Sequence, residues 1–220
     1  MKCFKLQDLA DMDDTQRAHF VNGLPGFKSA NLIGTKDRHQ QTNLAIVSSV
    51  IHLGSNPPML GFMTRPHSVE RHTLENIEET GVYTINQVHS EILEAAHQTS
   101  ARYPRKQSEF EACQLSEDYV DGFHAPHVKE SRLSCGLKLI EVMPIQHNGT
   151  ALVVGEVEWV HIDETAVTDD GFIDHQQLAS VAISGLDSYH KVEAGTRLNK
   201  AETDQPSSRL TANTAKVTNE

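Results

Sequence analysis

The sequence predicts a mainly β protein, a small β-barrel decorated with short helices. Three observations carry this. About six apolar runs rich in β-branched residues lie at close spacing between positions 30 and 162, as short barrel strands do. Turn-forming residues separate them, and the stretches with helical spacing between them are short.

The elements follow in order. Residues 1–24 are a polar lead-in, closing on the turn signal Gly23-Leu24-Pro25-Gly26. Ala30 to Thr35 and Leu44 to Ile51 are apolar strands around the polar turn Lys36 to Gln41, which reads as a hairpin. Ser55-Asn56-Pro57-Pro58 turns the chain into a third strand, Met59 to Thr64, with the prolines where a missing N–H is tolerated. Thr73 to Thr80 reads as a two-turn helix, with Thr73 as N-cap and Gly81 just past the end. Val82 to Val88 is strand, and Glu91 to Gln98 has helical spacing. Residues 99–135 form a long excursion with a helical piece near Phe110, a length that marks a binding or interface loop. Leu137 to Ile145 and Ala151 to Ile162 are longer strands joined at His147-Asn148-Gly149. A helix is expected around His175 to Ala182 after Asp169-Asp170-Gly171. The expected division is one domain over 25–199, with 200–220 as a polar, disordered tail.

Composition bounds the function. The 220 residues carry a net charge of -11, with 38% hydrophobic and 22% charged residues. That is a soluble globular composition, and an acidic chain lacks the basic face that nucleic acid requires. No apolar run is long enough to span a membrane. The charged stretch Met1 to Asp14 has no signal-peptide core, so the expectation is cytoplasmic. Cys3, Cys113 and Cys135 have neither disulfide nor zinc spacing. Thirteen histidines are scattered without ligand spacing. His124 and His127 are the closest pair and lie in a Pro-broken loop, so no metal site is expected.

The chemistry points to the stretch from Asn43 to Asn76. Arg71-His72-Thr73 opens a helix, where unpaired N–H groups and a partial positive charge favour phosphate. Arg71 adds a charge-assisted donor and Thr73 a hydroxyl. A capped surface helix is the plain alternative. Asn43, Leu44, Ala45, Ile46, Val47, Ser48 and Ser49 offer small side chains and backbone amides to a planar ligand. The alternative there is a buried strand whose serines bond the main chain. Arg65 ends the following strand and could reach phosphate or remain solvated. No nucleophile elbow, Walker loop or dinucleotide-binding glycine motif occurs. His52 and Tyr189 are weaker candidates, each better explained by packing.

These pieces resemble the flavin reductase-like family, whose members have the FMN-binding split-barrel fold. The resemblance rests on Gly34-Thr35, Asn43-Leu44-Ala45, Ser48-Ser49, Ser55-Asn56-Pro57-Pro58, Arg65-Pro66, His72-Thr73, Asn76-Ile77, Gly81 and Asn86. It continues through Thr99 to Tyr103, Glu109-Phe110-Glu111, Ala125 to Ser131, Gly155-Glu156-Val157 and Ser184 to Tyr189, covering about 25 to 200. It implies a homodimeric six-stranded barrel that holds FMN near the dimer interface. Asn43 to Ser49 would face the ring system. Ser48, Ser49, Arg71 and Thr73 would reach the ribityl chain and phosphate, with Asn76 behind them. Thr99, Ser100 and Tyr189 would complete the pocket. Many relatives carry Pro at Ile46 and Lys-Asp at Arg71-His72, so the pocket keeps its charge with altered detail. The implied activity passes reducing equivalents from NAD(P)H through flavin to an acceptor. An FMN electron carrier that meets a protein partner is the alternative.

Overall fold

The structure, a computed structural model, describes residues 1–66 and 70–210. Helices α1 (Leu6–Ala10) and α2 (Asp14–Gly23) open the chain and bury no residue. Strands β1 (Lys28–Ser29), β2 (Asn31–Lys36), β3 (Thr42–Val47), β4 (Ile51–Ser55) and β5 (Pro58–Thr64) follow. Helix α3 (His72–Thr80) precedes β6 (Val82–Gln87), and α4 (Leu93–Gln98) precedes α5 (Glu109–Ala112). Then come β7 (Glu117–Asp118), β8 (His127–Val128), the long hairpin β9 (Leu133–Ile145) and β10 (Thr150–Ile162), and finally β11 (Val181–Ser184) and β12 (Ser188–Lys191).

Seven strands form one antiparallel sheet in the order β3-β2-β6-β9-β10-β5-β4. Its outer strands, β3 and β4, are neighbours in sequence, with only Ser48, Ser49 and Val50 between them. A flat sheet of this size would hold its edges about 29 Å apart at roughly 4.8 Å per strand. Three linking residues reach no more than about 14 Å. The sheet therefore curls into a barrel, and the 48–50 crossing spans its seam.

Both faces of the wall are buried. Ile33, Phe62, Leu74, Ile77, Tyr83, Ile85, Leu137 and Val153 make one core. Leu32, Leu44, Val88, Phe110, Val128 and Ile183 make a second core. Adjacent residues Leu32 and Ile33 thus enter opposite cores, as the two-residue period of a strand requires. The second core lies between the sheet and the 99–135 excursion, which comes very close. A Cβ at Gly34 would sit 2.4 Å from the Pro126 carbonyl oxygen. Asn86 fastens the layers: its Nδ2 donates to the Leu32 carbonyl at 3.1 Å, and its Oδ1 accepts from the Val128 N–H at 2.9 Å and from Ser134 Oγ at 2.8 Å.

Several expectations are corrected. The apolar run Leu44 to Ile51 is not one strand but the end of β3, the crossing and the start of β4. Thr73 is not the N-cap of α3; that position is Arg71, and Thr73 lies within the first turn. The stretch expected as a helix around His175 to Ala182 is a turn leading into β11. There Ala179 takes φ 51 and Ser180 bridges to His89, a backbone that no helix continues through. The excursion contains the small β7–β8 pair, and β9 begins at Leu133 rather than Leu137. Gly81 ends α3 with φ +75, as the sequence predicts. Within 200–210, Glu202 and Gln205 form an antiparallel bridge; residues 211–220 of the expected tail lie outside the described residues.

Candidate functional site

A cavity of about 950 Å³ opens at the barrel seam. That is the upper end of the size range of cofactor pockets, about 300–1,000 Å³. β3 and the crossing form one wall, the end of β5 and the start of α3 a second, and residues 97–103 with the β11–β12 hairpin a third. Of the residues predicted from sequence, Asn43, Ala45, Ile46, Val47, Ser48, Ser49, Arg65, Arg71, His72, Thr73, Ser100 and Tyr189 all line it. Leu44 and Asn76 do not. Leu44 packs in the second core. Asn76 is buried behind the wall, where its Nδ2 donates to Thr35 Oγ1 at 3.1 Å. His52 is exposed on β4, away from the cavity.

The wall is braced by a buried polar network. Thr73 Oγ1 donates to Asn43 Oδ1 at 2.7 Å, and Asn43 Nδ2 donates to Glu109 Oε2 at 2.7 Å. The Leu44 N–H donates to the same carboxylate oxygen at 2.9 Å. Two positions on, the Ile46 N–H donates to Thr99 Oγ1 at 3.0 Å, and that hydroxyl donates to the Ala96 carbonyl at 2.8 Å. β3 is an edge strand, so its outward N–H groups have no strand partner. Side chains from α5 and from the end of α4 satisfy them instead.

Beyond Val47 this bracing stops. Among the described residues, the N–H groups of Ser48 and Ser49 and the Ser48 hydroxyl make no hydrogen bond. Ser49 uses its hydroxyl to extend the sheet edge, accepting from the Met63 N–H at 3.1 Å and donating to the Met63 carbonyl at 3.2 Å. The free donors thus lie in a crossing whose serines line the cavity.

Three guanidinium groups gather at this end: Arg65, Arg71 and Arg102. Among the described residues, no carboxylate lies within ion-pair distance of any of them. Partial burial, then repulsion from Arg65 and Arg102, pulls Arg71 below its ordinary pKa. Arg71 Nε donates to the Pro66 carbonyl at 3.2 Å, which leaves its terminal nitrogens free. The first turn of α3 adds its own unpaired N–H groups. Cations without counter-ions beside a helix start and bare amides form a receptor for an oxyanion.

At the opposite wall, the Tyr189 hydroxyl lies 2.8 Å from His97 Nδ1, and the two rings meet edge to face. Burial, then Asp187, raises the Tyr189 pKa, so the phenol stays protonated. Sequence reasoning did not assign site roles to His97, Arg102, Tyr103, Glu109, Leu186 or Asp187, all of which line the cavity. The run Thr99 to Tyr103 was visible only as part of the resemblance. A buried Glu109 leaves no local signal, because its partners lie 65 and 66 residues away.

The family model for a flavin reductase like domain matches residues 27–178. Among solved structures, a split-barrel protein classed with flavin reductases, from Shewanella frigidimarina NCIMB 400, is 53% identical with TM-score 0.88. The match covers 91% of this chain and 100% of that one. Nitrilotriacetate monooxygenase component B from Bacillus cereus shares the fold at TM-score 0.80 and 19% identity, covering 90% and 98% of the two chains. Flavoredoxin of Desulfovibrio vulgaris (Miyazaki F) is 25% identical with TM-score 0.66, covering 81% and 93%. The chain belongs to the flavin reductase-like family, and its curled seven-stranded sheet is a split barrel.

Proposed function

We propose that the cavity binds FMN and that the protein is a flavin-dependent oxidoreductase. In this reading NAD(P)H reduces the flavin, which passes the electrons to a second substrate or an acceptor protein. The observation that carries the proposal is the arginine cluster, without counter-ions among the described residues, set beside the Ser48 and Ser49 amides that make no hydrogen bond there. Arg65, Arg71, Arg102 and the start of α3 would hold the phosphate. Ser48 and Ser100 would meet the ribityl hydroxyls, and Ala45 to Ser49 would lie along the ring system. Thr73 and Asn76 act indirectly: Thr73 braces Asn43 and Asn76 braces α3. Ser49 contributes its amide, since its hydroxyl bonds Met63.

Flavin supplies the hydride and electron chemistry when bound. The chain's part is to bind and orient it, and to offer fixed N–H donors where negative charge develops on reduction. A homodimer belongs to this reading, supported by the exposed apolar side chains Ile51, Leu53, Ile140, Met143 and Ile145. So do a cytoplasmic location and a 25–199 domain with flanking lead-in and tail. A second reading, an FMN carrier that meets protein partners in place of a nicotinamide, draws support from the likeness to flavoredoxin.

The test is a visible spectrum of the purified chain with added FMN, followed by anaerobic NADH or NADPH. A bound flavin that either nucleotide bleaches is the expected result. A bound flavin that only dithionite reduces favours the carrier. A chain that takes up no FMN overturns both readings.

A further inference from the structure

The three cavity arginines come from three separate segments: the end of β5, the start of α3 and the loop after α4. Like charges brought together repel, so something must hold these segments in place before any anion arrives. A fourth arginine, Arg105, lies three residues beyond Arg102 and does not line the cavity. Its Nη2 pairs with Glu75 Oε2. Its Nη1 donates to Asn76 Oδ1 at 3.2 Å and lies 3.8 Å from the buried Asp37 carboxylate. Glu75 is one helical turn beyond Arg71, and its Oε1 accepts from the Arg71 N–H at 3.0 Å. Asn76 in turn donates to Thr35 on β2. One turn behind two like charges that separate the segments, an opposite-charge pair draws them together.

We infer that the Arg105–Glu75 ion pair is a clamp that positions Arg71 and Arg102 for the phosphate of the bound flavin. The inference rests on the phosphate-site reading above. Arg105 and Glu75 are positioning residues, and neither touches the ligand. The clamp joins the loop carrying Ser100 and Arg102 to the helix start carrying Arg71, and Asn76 fixes both to the barrel wall. Phosphate affinity therefore depends on a pair outside the pocket.

The two explanations of a charge near an anion site differ in sign. If Glu75 acted only through space, removing its negative charge would tighten FMN binding. If it is half of a clamp, removing it weakens binding. In Glu75→Gln, one amide oxygen can still accept from the Arg71 N–H, while the amide NH₂ faces Arg105 without attraction.

The experiment titrates FMN and riboflavin, which lacks the phosphate, into the full-length chain and follows flavin fluorescence. Glu75→Gln and Arg105→Gln are each expected to weaken FMN about tenfold and leave riboflavin within about twofold. Arg105→Lys, which keeps the charge but not the fork to Glu75 and Asn76, should weaken FMN less than Arg105→Gln does and leave riboflavin within about twofold. A loss for FMN as large as that of Arg105→Gln would mean that charge plays no part in the clamp. Unchanged or tighter FMN binding in Glu75→Gln overturns the clamp, as does an equal loss for both flavins. If Arg71→Ala abolishes the preference for FMN over riboflavin while Glu75→Gln preserves it, the phosphate site stands and the clamp falls. A wild-type chain that binds both flavins equally overturns the phosphate site and the clamp together.

Discussion

Asn43–Val47 and Ser48–Val50 are adjacent stretches of backbone at the same seam, and they treat their donors in opposite ways. In the first, every outward N–H with no strand to face has a side-chain acceptor: Glu109 for Leu44, Thr99 for Ile46. In the second, the N–H groups of Ser48 and Ser49 have no partner among the described residues. Burial accounts for Leu44, while half-buried Ile46 is braced because Thr99 at the end of α4 lies against it. Leu44 is wholly buried, so an unpaired donor there would carry the full desolvation cost. The crossing is half-buried and faces the cavity, where water or a ligand can serve. The edge is therefore closed where the fold needs it and left open where a ligand can use it.

The comparison predicts distinct outcomes on the two sides. Glu109→Ala should have the largest effect, because it leaves both the Asn43 amide and the Leu44 N–H buried without an acceptor. A loss of about 3 kcal/mol is expected, read by urea unfolding, and a loss under about 1 kcal/mol would break the contrast. Arg71→Ala should cost about 2 kcal/mol of FMN binding, roughly thirtyfold in Kd, with no loss of melting temperature. A clear destabilisation would mean that Arg71 serves the fold instead. Ser49→Ala removes the two bonds to Met63 and should lower stability by about 1 kcal/mol. Ser48→Ala, one residue earlier, should leave stability unchanged and weaken FMN about threefold, near 0.6 kcal/mol. If the two serines exchanged these phenotypes, the division drawn at the crossing would be in the wrong place.

Much of this was legible where local chemistry decides the backbone. The β2–β3 hairpin followed from two apolar runs around a polar turn, and Thr35 indeed pairs with Asn43. Gly81 marked the end of α3, and Asn148-Gly149 marked the β9–β10 turn. The break at Ser48 was not legible, because the run stays apolar on both sides of the seam while the chain changes sheet edges. The helix expected around His175 to Ala182 hid the start of β11, which pairs Ile183 with Lys28, far back in the chain. In the site, the sequence located most of the β3 and α3 residues that line the cavity, but not His97, Tyr103 or the buried Glu109 brace. Asn43 and Thr73 line the cavity as expected, and the bond between their side chains was not foreseen. Arg105 and Glu75 lie thirty residues apart, and no spacing rule joins them.

The seam also makes the molecule's stability conditional. Here β3 and β4 are joined by three residues of chain, pinned to β5 by the side chain of Ser49, and not by a ladder of main-chain bonds. A molecule seated in the cavity touches strands on both sides of that join, so it fastens together what the backbone leaves loosely joined. Mass action sets the size of the effect: at a ligand concentration one hundred times its Kd, unfolding becomes harder by about 2.7 kcal/mol. If flavin is that molecule, a cell short of it would hold this protein in a more easily digested form, and the protein's abundance would follow the flavin supply.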